Sequence, residues 1–207
     1  MSSETTVLRG VRRLEAPESA ALDIVLQGRA IVGICDAGKA DSDRVVNLDG
    51  LVIMPGAIDA HVHPIHNETF ANVGNAAVLG GVTTVLHHLY PDLNEPFGDA
   101  IARMCASAER GQADFGAHVR IDRSRIGQPL TGISQNGGLS AKAFLAHPDS
   151  NVQMSLGELV HVMRHCADAR LPLIIHAELG DAIDALASEG FAGQPPGSTL
   201  QALSQWR

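Results

Sequence analysis

From Leu51 onward, short apolar runs alternate with segments of helical periodicity along most of the chain. Five runs have the length of strands and few polar residues: 58–62, 82–89, 115–121, 141–146 and 171–177. Strands of this kind are typical of parallel sheets that are buried on both faces. The repeats therefore predict an α/β fold with a parallel sheet, either doubly wound or closed into a barrel.

The segments between these runs predict amphipathic helices. Apolar stripes at helical spacing are formed by Phe70, Val73, Gly74 and Ala77, and then by Ile101, Met104, Cys105 and Ala108. Another helix is predicted to start at the capping-box pair Ser155 and Glu158. Its expected buried stripe is Leu156, Leu159, Val160 and Met163. A last helix is predicted over 181–189, before a Gly/Pro loop.

The first fifty residues show a different sequence pattern. Runs 22–26 and 30–34 are short, apolar and interrupted by Gly28, Gly33 and Gly38, which predicts small antiparallel strands rather than a helix. The boundary between the two sequence patterns divides the chain into 1–54 and 55–207.

Charge and segment composition narrow the classes of function. The 207 residues include 23 acidic and 15 basic ones, for a formal net charge of −8, which argues against nucleic acid and anionic membrane as partners. The N-terminal residues lack the pattern of a signal peptide, and no run is long enough for a membrane span. We expect a soluble, cytoplasmic protein. Cys35, Cys105 and Cys166 are expected to be buried free thiols.

Two histidines end the first of the five runs. His61 and His63 are two residues apart, so in a strand they point to the same face and could reach one cation. Neutral imidazole is a favoured ligand of zinc and similar metals. The alternative is a pair of hydrogen-bonded surface histidines at a strand end.

A lysine and a third histidine occupy the later strands. Lys142 lies within an apolar run, where a desolvated amine becomes nucleophilic and can add carbon dioxide to form a carbamate. The alternative is an edge position from which the amine reaches solvent. His176 ends the next run, at the carboxyl edge where parallel α/β folds place their sites; the alternative is a hydrogen-bonded core histidine.

Four segments together carry a family resemblance. They are Met54-Pro-Gly-Ala-Ile-Asp-Ala-His-Val-His63, Gly80-Gly-Val-Thr-Thr-Val85, the Lys142 run and Ile175-His-Ala-Glu178. In this order they resemble the dihydroorotase, hydantoinase and allantoinase branch of the amidohydrolase superfamily. The resemblance implies a partial (β/α)8 barrel of about five strands over 55–207, because a complete barrel takes roughly 250 residues. It also implies part of a small β-sandwich over 1–54.

The resemblance also implies a metal site and a reaction. His61 and His63 would bind one divalent ion, Lys142 as a carbamate would bridge two, and His176 would bind the second. Two zinc ions are expected, with metal-bound hydroxide attacking the C–N bond of a small cyclic amide. A full-length form is expected to be a homo-oligomer. No substrate-binding residue is assigned.

Two groups that the resemblance requires are missing. Family members carry a metal-binding histidine on the sixth barrel strand and a catalytic aspartate on the eighth, and neither residue type follows Asp184. No catalytic residue is therefore assigned within this chain. An unclosed barrel exposes an edge strand and part of the core, so we expect the isolated chain to be poorly stable and of low activity.

The remaining histidines receive weaker assignments. His66 follows the dyad in a segment without the arginine that dihydroorotases use for a substrate carboxylate, and a solvated loop position is expected. Strand alternation turns either His87 or His88 toward the barrel mouth, with a hydrogen-bonding role rather than ligation. The others are expected at the surface, in core hydrogen bonds or in loops: His161, His165, His118 and His147.

Two rival functions remain open. Relatives of hydantoinases and dihydroorotases also serve as non-catalytic structural or scaffold proteins, because a fold does not establish turnover. Metal-dependent phosphoesterases on similar barrels also begin with a His-x-His pair, although the Lys142 strand favours the cyclic-amide class.

Overall fold

The computed structural model describes residues 4–64, 68–147, 149–186 and 188. The chain divides into two compact units between Gly56 and Ala57. Predictions that fall on His66, on the Gly/Pro loop after Gly190 or on the end of the 181–189 helix lie outside the described residues. None of the described helices combines the length and the hydropathy that crossing a membrane requires.

The N-terminal unit is built on a mixed sheet of five strands. They are β1 (Thr5–Arg13), β2 (Leu22–Gln27), β3 (Ala30–Asp36), β4 (Arg44–Asn47) and β5 (Val52–Ile53). The order is β3-β2-β1-β4, and β5 also pairs with β1. β2 runs antiparallel to β1 and β3, which confirms the strands predicted over 22–26 and 30–34, whereas β4 and β5 run parallel to β1.

A buried carboxylate organises this unit. Asp23 is fully buried and accepts hydrogen bonds from the backbone N–H groups of Gly10 (3.2 Å), Gly38 (2.9 Å) and Ala40 (3.3 Å). The Arg9 guanidinium lies 3.4 Å away. Burial raises the pKa of Asp23, but these donors and the guanidinium outweigh it, so the pKa lies below its ordinary value. Gly10 has a φ of +80°, a conformation that favours glycine.

The C-terminal unit contains the predicted parallel sheet. Its strands are β6 (Ala57–Val62), β7 (Val82–Leu89), β8 (Asp114–Arg120), β9 (Ser140–Phe144) and β10 (Leu173–His176). They are paired in chain order, β10-β9-β8-β7-β6, and every pair is parallel. All five predicted strands are therefore confirmed, with small shifts at their ends.

In the described part of the chain, five α-helices follow strands of this sheet. They are α1 (Phe70–Leu79), α2 (Phe97–Ala108), α3 (Thr131–Gln135), α4 (Leu156–Asp168) and α5 (Gly180–Leu186). α2 buries Phe97, Ala100, Ile101, Met104 and Ala108, in agreement with the predicted stripe. This face joins the core formed with Val119, Ile121 and Ala141 of the sheet region. Crossover helices on parallel strands place the strand ends that carry His63, His88 and His176 along one edge.

The buried face of α4 differs from the prediction. The capping box is present, because Ser155 Oγ accepts from the Glu158 N–H and Glu158 accepts from the Ser155 N–H. The helix buries Leu159, Val162 and Cys166, however, and leaves Leu156, Val160 and Met163 exposed. Apolar residues occupy two adjacent faces of this helix, and packing on the sheet selects the one that periodicity alone did not indicate.

The cysteines are free, as predicted. Only Cys166 is buried, and burial raises the pKa of its thiol to about 11. The expectation of burial is wrong for Cys35 and Cys105, which are half-buried.

Candidate metal centre

The two histidines that end β6 face one another. The Nε2 atoms of His61 and His63 are 2.9 Å apart, with His61 exposed and His63 half-buried. Two imidazole nitrogens that each lie roughly 2.1 Å from one metal are about 3.0 Å apart at a right angle and about 3.4 Å apart at a tetrahedral angle. The same-face arrangement predicted from their spacing is therefore present, and both nitrogens point to one position.

His88 joins this pair from β7. Strand alternation separates it from His87, whose ring packs edge-on against Phe70 of α1 at 5.0 Å. The His88 ring lies 4.1 Å from that of His63, parallel within 3°, and 4.3 Å from that of His61. One candidate ligand atom from each of these three histidines lies within 4.8 Å of the others, so the group could hold a metal ion.

The buried nitrogens of His88 indicate that the site fits a further group. His88 is 1% exposed, and among the described residues neither of its ring nitrogens has a hydrogen-bond partner. A buried polar atom without a partner costs free energy unless a ligand satisfies it. The unsatisfied nitrogens and the facing Nε2 atoms of the other two histidines therefore suit a divalent cation, for which imidazole is a favoured ligand.

Burial, together with nearby positive charges, favours the neutral form of His63 and His88. Burial lowers the pKa of His88 to about 3, and the charges of His63, His61, Lys142 and His118 contribute to the shift. Burial also lowers the pKa of His63, with contributions from His61, Lys142 and His176. Neutral imidazole is the form that binds metals. The side chains that share this field come from all five strands of the parallel sheet.

A second layer of contacts orients His63. Its Nδ1 is hydrogen-bonded to the hydroxyl of Tyr90, which directly follows β7. The Arg120 guanidinium lies 4.8 Å from the centre of the Tyr90 ring, and Arg120 Nε is 2.7 Å from a carboxylate oxygen of Asp122. If His63 uses Nε2 for a metal, its Nδ1–H donates to the Tyr90 oxygen. Contacts of this kind set the tautomer and the angle of a ligand ring.

His118 occupies a row across the sheet. It is in register with His88 on β7 and with Ser140 on β9. Its Nδ1 is 2.7 Å from Ser140 Oγ and its Nε2 is 3.1 Å from the carbonyl oxygen of Ala60. Both of its nitrogens are thus engaged, which agrees with the expectation of core hydrogen bonding.

Lys142 lies inside the sheet and not at an edge. It is 2% exposed on β9, between β8 and β10, and every residue of that strand is buried. Its Nζ is 5.0 Å from the centre of the Phe144 ring, and burial lowers its pKa. An amine reaching solvent from an edge strand, the alternative open from sequence, is not what the structure shows.

His176 stands at the rim of a neighbouring cleft. Its Nε2 is 3.0 Å from a carboxylate oxygen of Glu178, and its ring stacks on Phe144 at 5.4 Å. It lies outside the group formed by the three clustered histidines. The cleft has a volume of about 390 Å³ and is also lined by His147. His147 Nδ1 accepts from the Asp149 N–H at 3.0 Å, which leaves the proton on Nε2.

The sequence does not predict two of the residues at the metal centre. Nothing in the local sequence pattern connects Tyr90 with His63. The sequence predicts a hydrogen-bonding role and not ligation for His87 or His88, although their position at a strand end is a signal for a place in the site. His161 is exposed and His165 half-buried on α4, in agreement with their expected surface positions.

Comparison with known proteins supports the motif resemblance. The chain is 24% identical to a D-hydantoinase of Streptomyces coelicolor over 92% of its own length and 44% of that protein. It is 28% identical to an allantoinase of Rubrobacter xylanophilus over 81% of its length, and 24% identical to a dihydroorotase of Pediococcus pentosaceus over 83%. It covers 42% and 41% of those two proteins, so it spans less than half of each relative. No protein-family model matches the sequence.

Solved structures agree in fold. The dihydropyrimidinase of Brevibacillus agri superposes with a TM-score of 0.76 at 23% identity, covering 91% of this chain and 43% of that one. A D-hydantoinase structure superposes with a TM-score of 0.75 at 23% identity. These neighbours identify the curled five-stranded sheet as part of a TIM-type barrel, with a separate mixed sheet before it, as predicted. The ordered motifs, the partial barrel and these relatives together show that the chain is similar to the hydantoinase, allantoinase and dihydroorotase branch of the amidohydrolases.

Proposed function

We propose that this chain is part of a metal-dependent hydrolase that opens the C–N bond of a small cyclic amide of the hydantoin, dihydropyrimidine, allantoin or dihydroorotate type. The relatives that it matches are named for such reactions. The observation that carries the proposal is the approach of His61 Nε2 and His63 Nε2 to 2.9 Å at the carboxyl end of β6, beside the buried His88.

His61, His63, Lys142 and His176 are the residues that we propose hold two divalent ions, with zinc as the proposed metal. When bound, such ions lower the pKa of water and polarise the amide carbonyl. The part of His61 and His63 is to present their Nε2 atoms to the metal, and Tyr90 holds the angle of the His63 ring. Buried polar side chains around His88 and His118 define the floor of the site.

Lys142 suits the role of a carbamate. Burial favours its neutral amine, whose lone pair can form a bond from Nζ to the carbon of carbon dioxide with release of one proton. The product is an anionic oxygen ligand in place of a buried cation. Burial lowers the pKa values of the nearby His63, His88 and His118, so the amine lies among imidazoles whose neutral form is favoured.

His176 requires one local change to serve as a ligand. Its Nε2 is paired with the exposed Glu178 carboxylate, and surface ion pairs of this kind are worth only about 0–1 kcal/mol. A metal can therefore displace Glu178 from His176 at small cost. The adjacent cleft next to His147 then gives a cyclic amide access to the site.

Metal binding by the 207-residue chain tests this proposal. We expect zinc binding, measured by titration and by elemental analysis after dialysis, to be strongly reduced in the His61→Ala/His63→Ala variant. His165→Ala on α4 is the matched control and should bind as the unmodified chain does. Incubation with bicarbonate and zinc should add the mass of one carbon dioxide to the peptide that contains Lys142.

The result that overturns the proposal is an unmodified, folded chain that binds no divalent ion and is not stabilised by zinc. That outcome favours the non-catalytic relative. Ring opening of hydantoin or dihydrouracil by the chain, abolished by chelation, would directly support the hydrolase assignment and contradict the expectation of low activity in isolation.

A further inference from the structure

The backbone that carries His61 departs from regular pairing. β6 and β7 are in register at Asp59 and Val85, and again at Val62 and His87, with a shift between the two points. The same interval contains Ala60 and His61. Irregularities of this type re-aim side chains and are frequent beside functional sites. The aim of His61 toward His63 therefore depends on what holds this short segment.

Two side-chain contacts hold it. The Asp59 carboxylate accepts from the His61 N–H at 3.1 Å, within the segment itself. The second contact comes from His118 on β8, which is not a neighbour of β6, because β7 lies between them. His118 reaches the carbonyl oxygen of Ala60, the residue directly before His61, at 3.1 Å.

The chemistry of these contacts determines the tautomer of His118. A carbonyl oxygen can only accept, so His118 Nε2 carries the proton that it donates to Ala60. In the neutral ring Nδ1 is then an acceptor, and it receives the hydroxyl proton of Ser140 at 2.7 Å. His118 is 6% exposed and Ser140 is 3% exposed, so water does not readily replace either bond.

We infer that His118, held in its Nε2–H tautomer by Ser140, is a positioning residue that fixes the Ala60–His61 backbone and so aims His61 at the metal position. Its contact to the site is through the Ala60 carbonyl, and both of its nitrogens are already bonded. The inference rests on the proposed metal site at His61 and His63. It adds a residue that acts on the ligand strand and not on the metal.

A set of four variants of the 207-residue chain tests the inference. His118→Leu removes the donor to Ala60, whereas His118→Gln keeps an N–H close to the position of Nε2. Ser140→Ala removes the group that selects the tautomer. His87→Leu is the matched control, because it makes the same change at a buried histidine of β7 whose ring packs against Phe70 of α1.

Zinc affinity is measured by competition with a chromophoric chelator, at a temperature where circular dichroism shows each variant folded. Changes behind a ligand weaken metal binding roughly 10- to 100-fold, which is the loss expected for His118→Leu. His118→Gln should recover most of it, Ser140→Ala should fall between the two, and His87→Leu should match the unmodified chain. Copper-loaded samples add a spectroscopic readout, since a misaimed His61 changes the nitrogen couplings in the electron paramagnetic resonance spectrum.

The outcomes separate this inference from the proposed function. If the unmodified chain binds zinc and folded His118→Leu binds it equally well, the positioning role is refuted while the metal site stands. Equal losses in His118→Leu and His118→Gln also refute it, because the donated proton would then not matter. If His118→Leu does not fold, Ser140→Ala decides: unchanged zinc affinity overturns the inference, and a loss with intact fold supports it.

Discussion

Replacing Lys142 by Met should have opposite effects on the metal-free and the metal-loaded chain. Lys142 is 2% exposed, and the Nζ contact that the structure shows is the face of Phe144 at 5.0 Å. Burying a neutral amine without full compensation costs about 1–3 kcal/mol in proteins. Met has a similar length and no amine. We therefore expect the metal-free Lys142→Met chain to be more stable by about 1–3 kcal/mol.

Urea unfolding in the presence of EDTA measures this difference. Lys39→Met is the control, because Lys39 is the other lysine of the sequence and is exposed. Its free energy of unfolding should change little, as expected for a surface substitution. With zinc and bicarbonate the order should reverse, because Lys142→Met cannot form the carbamate and the unmodified chain gains metal-binding energy.

One result refutes this reasoning directly. If Lys142→Met is less stable than the unmodified chain in EDTA, the buried amine stabilises the fold, and its burial has no net free-energy cost. A gain in EDTA with no reversal on adding zinc and bicarbonate would retain the burial argument and remove the carbamate from the proposed function.

Three further predictions concern other parts of the chain. His88→Phe removes two buried nitrogens without described partners, so the free energy of unfolding in EDTA should rise by about 1–2 kcal/mol. Zinc titration should show weaker binding. A variant that is less stable than the unmodified chain in EDTA would contradict the prediction. Asp23→Asn should lose about 1–3 kcal/mol at neutral pH. Because the pKa of Asp23 is lowered in the folded chain, its contribution to stability is present above the unfolded pKa of about 3.9 and is lost as pH falls through the folded value. The free energies of unfolding of the two chains, measured with urea, should therefore converge in acid. A difference that stays constant with pH would refute the assignment. Ser155→Ala removes the capping box of α4, so thermal melts should show an unfolding free energy lower by about 1 kcal/mol. Ser107→Ala makes the same change at a half-buried serine of α2 and is the control, whose unfolding free energy should change less.

Features with a local cause could be predicted from the sequence. The five parallel strands follow from apolar runs, and the shared face of His61 and His63 follows from the period of two in a strand. The stripe of α2 was also predictable, since its apolar residues occupy a single face. The family resemblance adds the prediction that His61, His63, Lys142 and His176 are metal ligands.

Features that join distant segments were decided only by the tertiary structure. His118 meets Ala60 across 58 residues, and His63 meets Tyr90 across 27. The donors to Asp23 and the buried face of α4 likewise depend on which segments pack together. The physical reason is that periodicity reports the direction of a side chain relative to its own backbone, while hydrogen-bond partners are set by the pairing and curvature of the sheet. The His-x-His pair was therefore evident from the sequence, and the contacts that aim it were not.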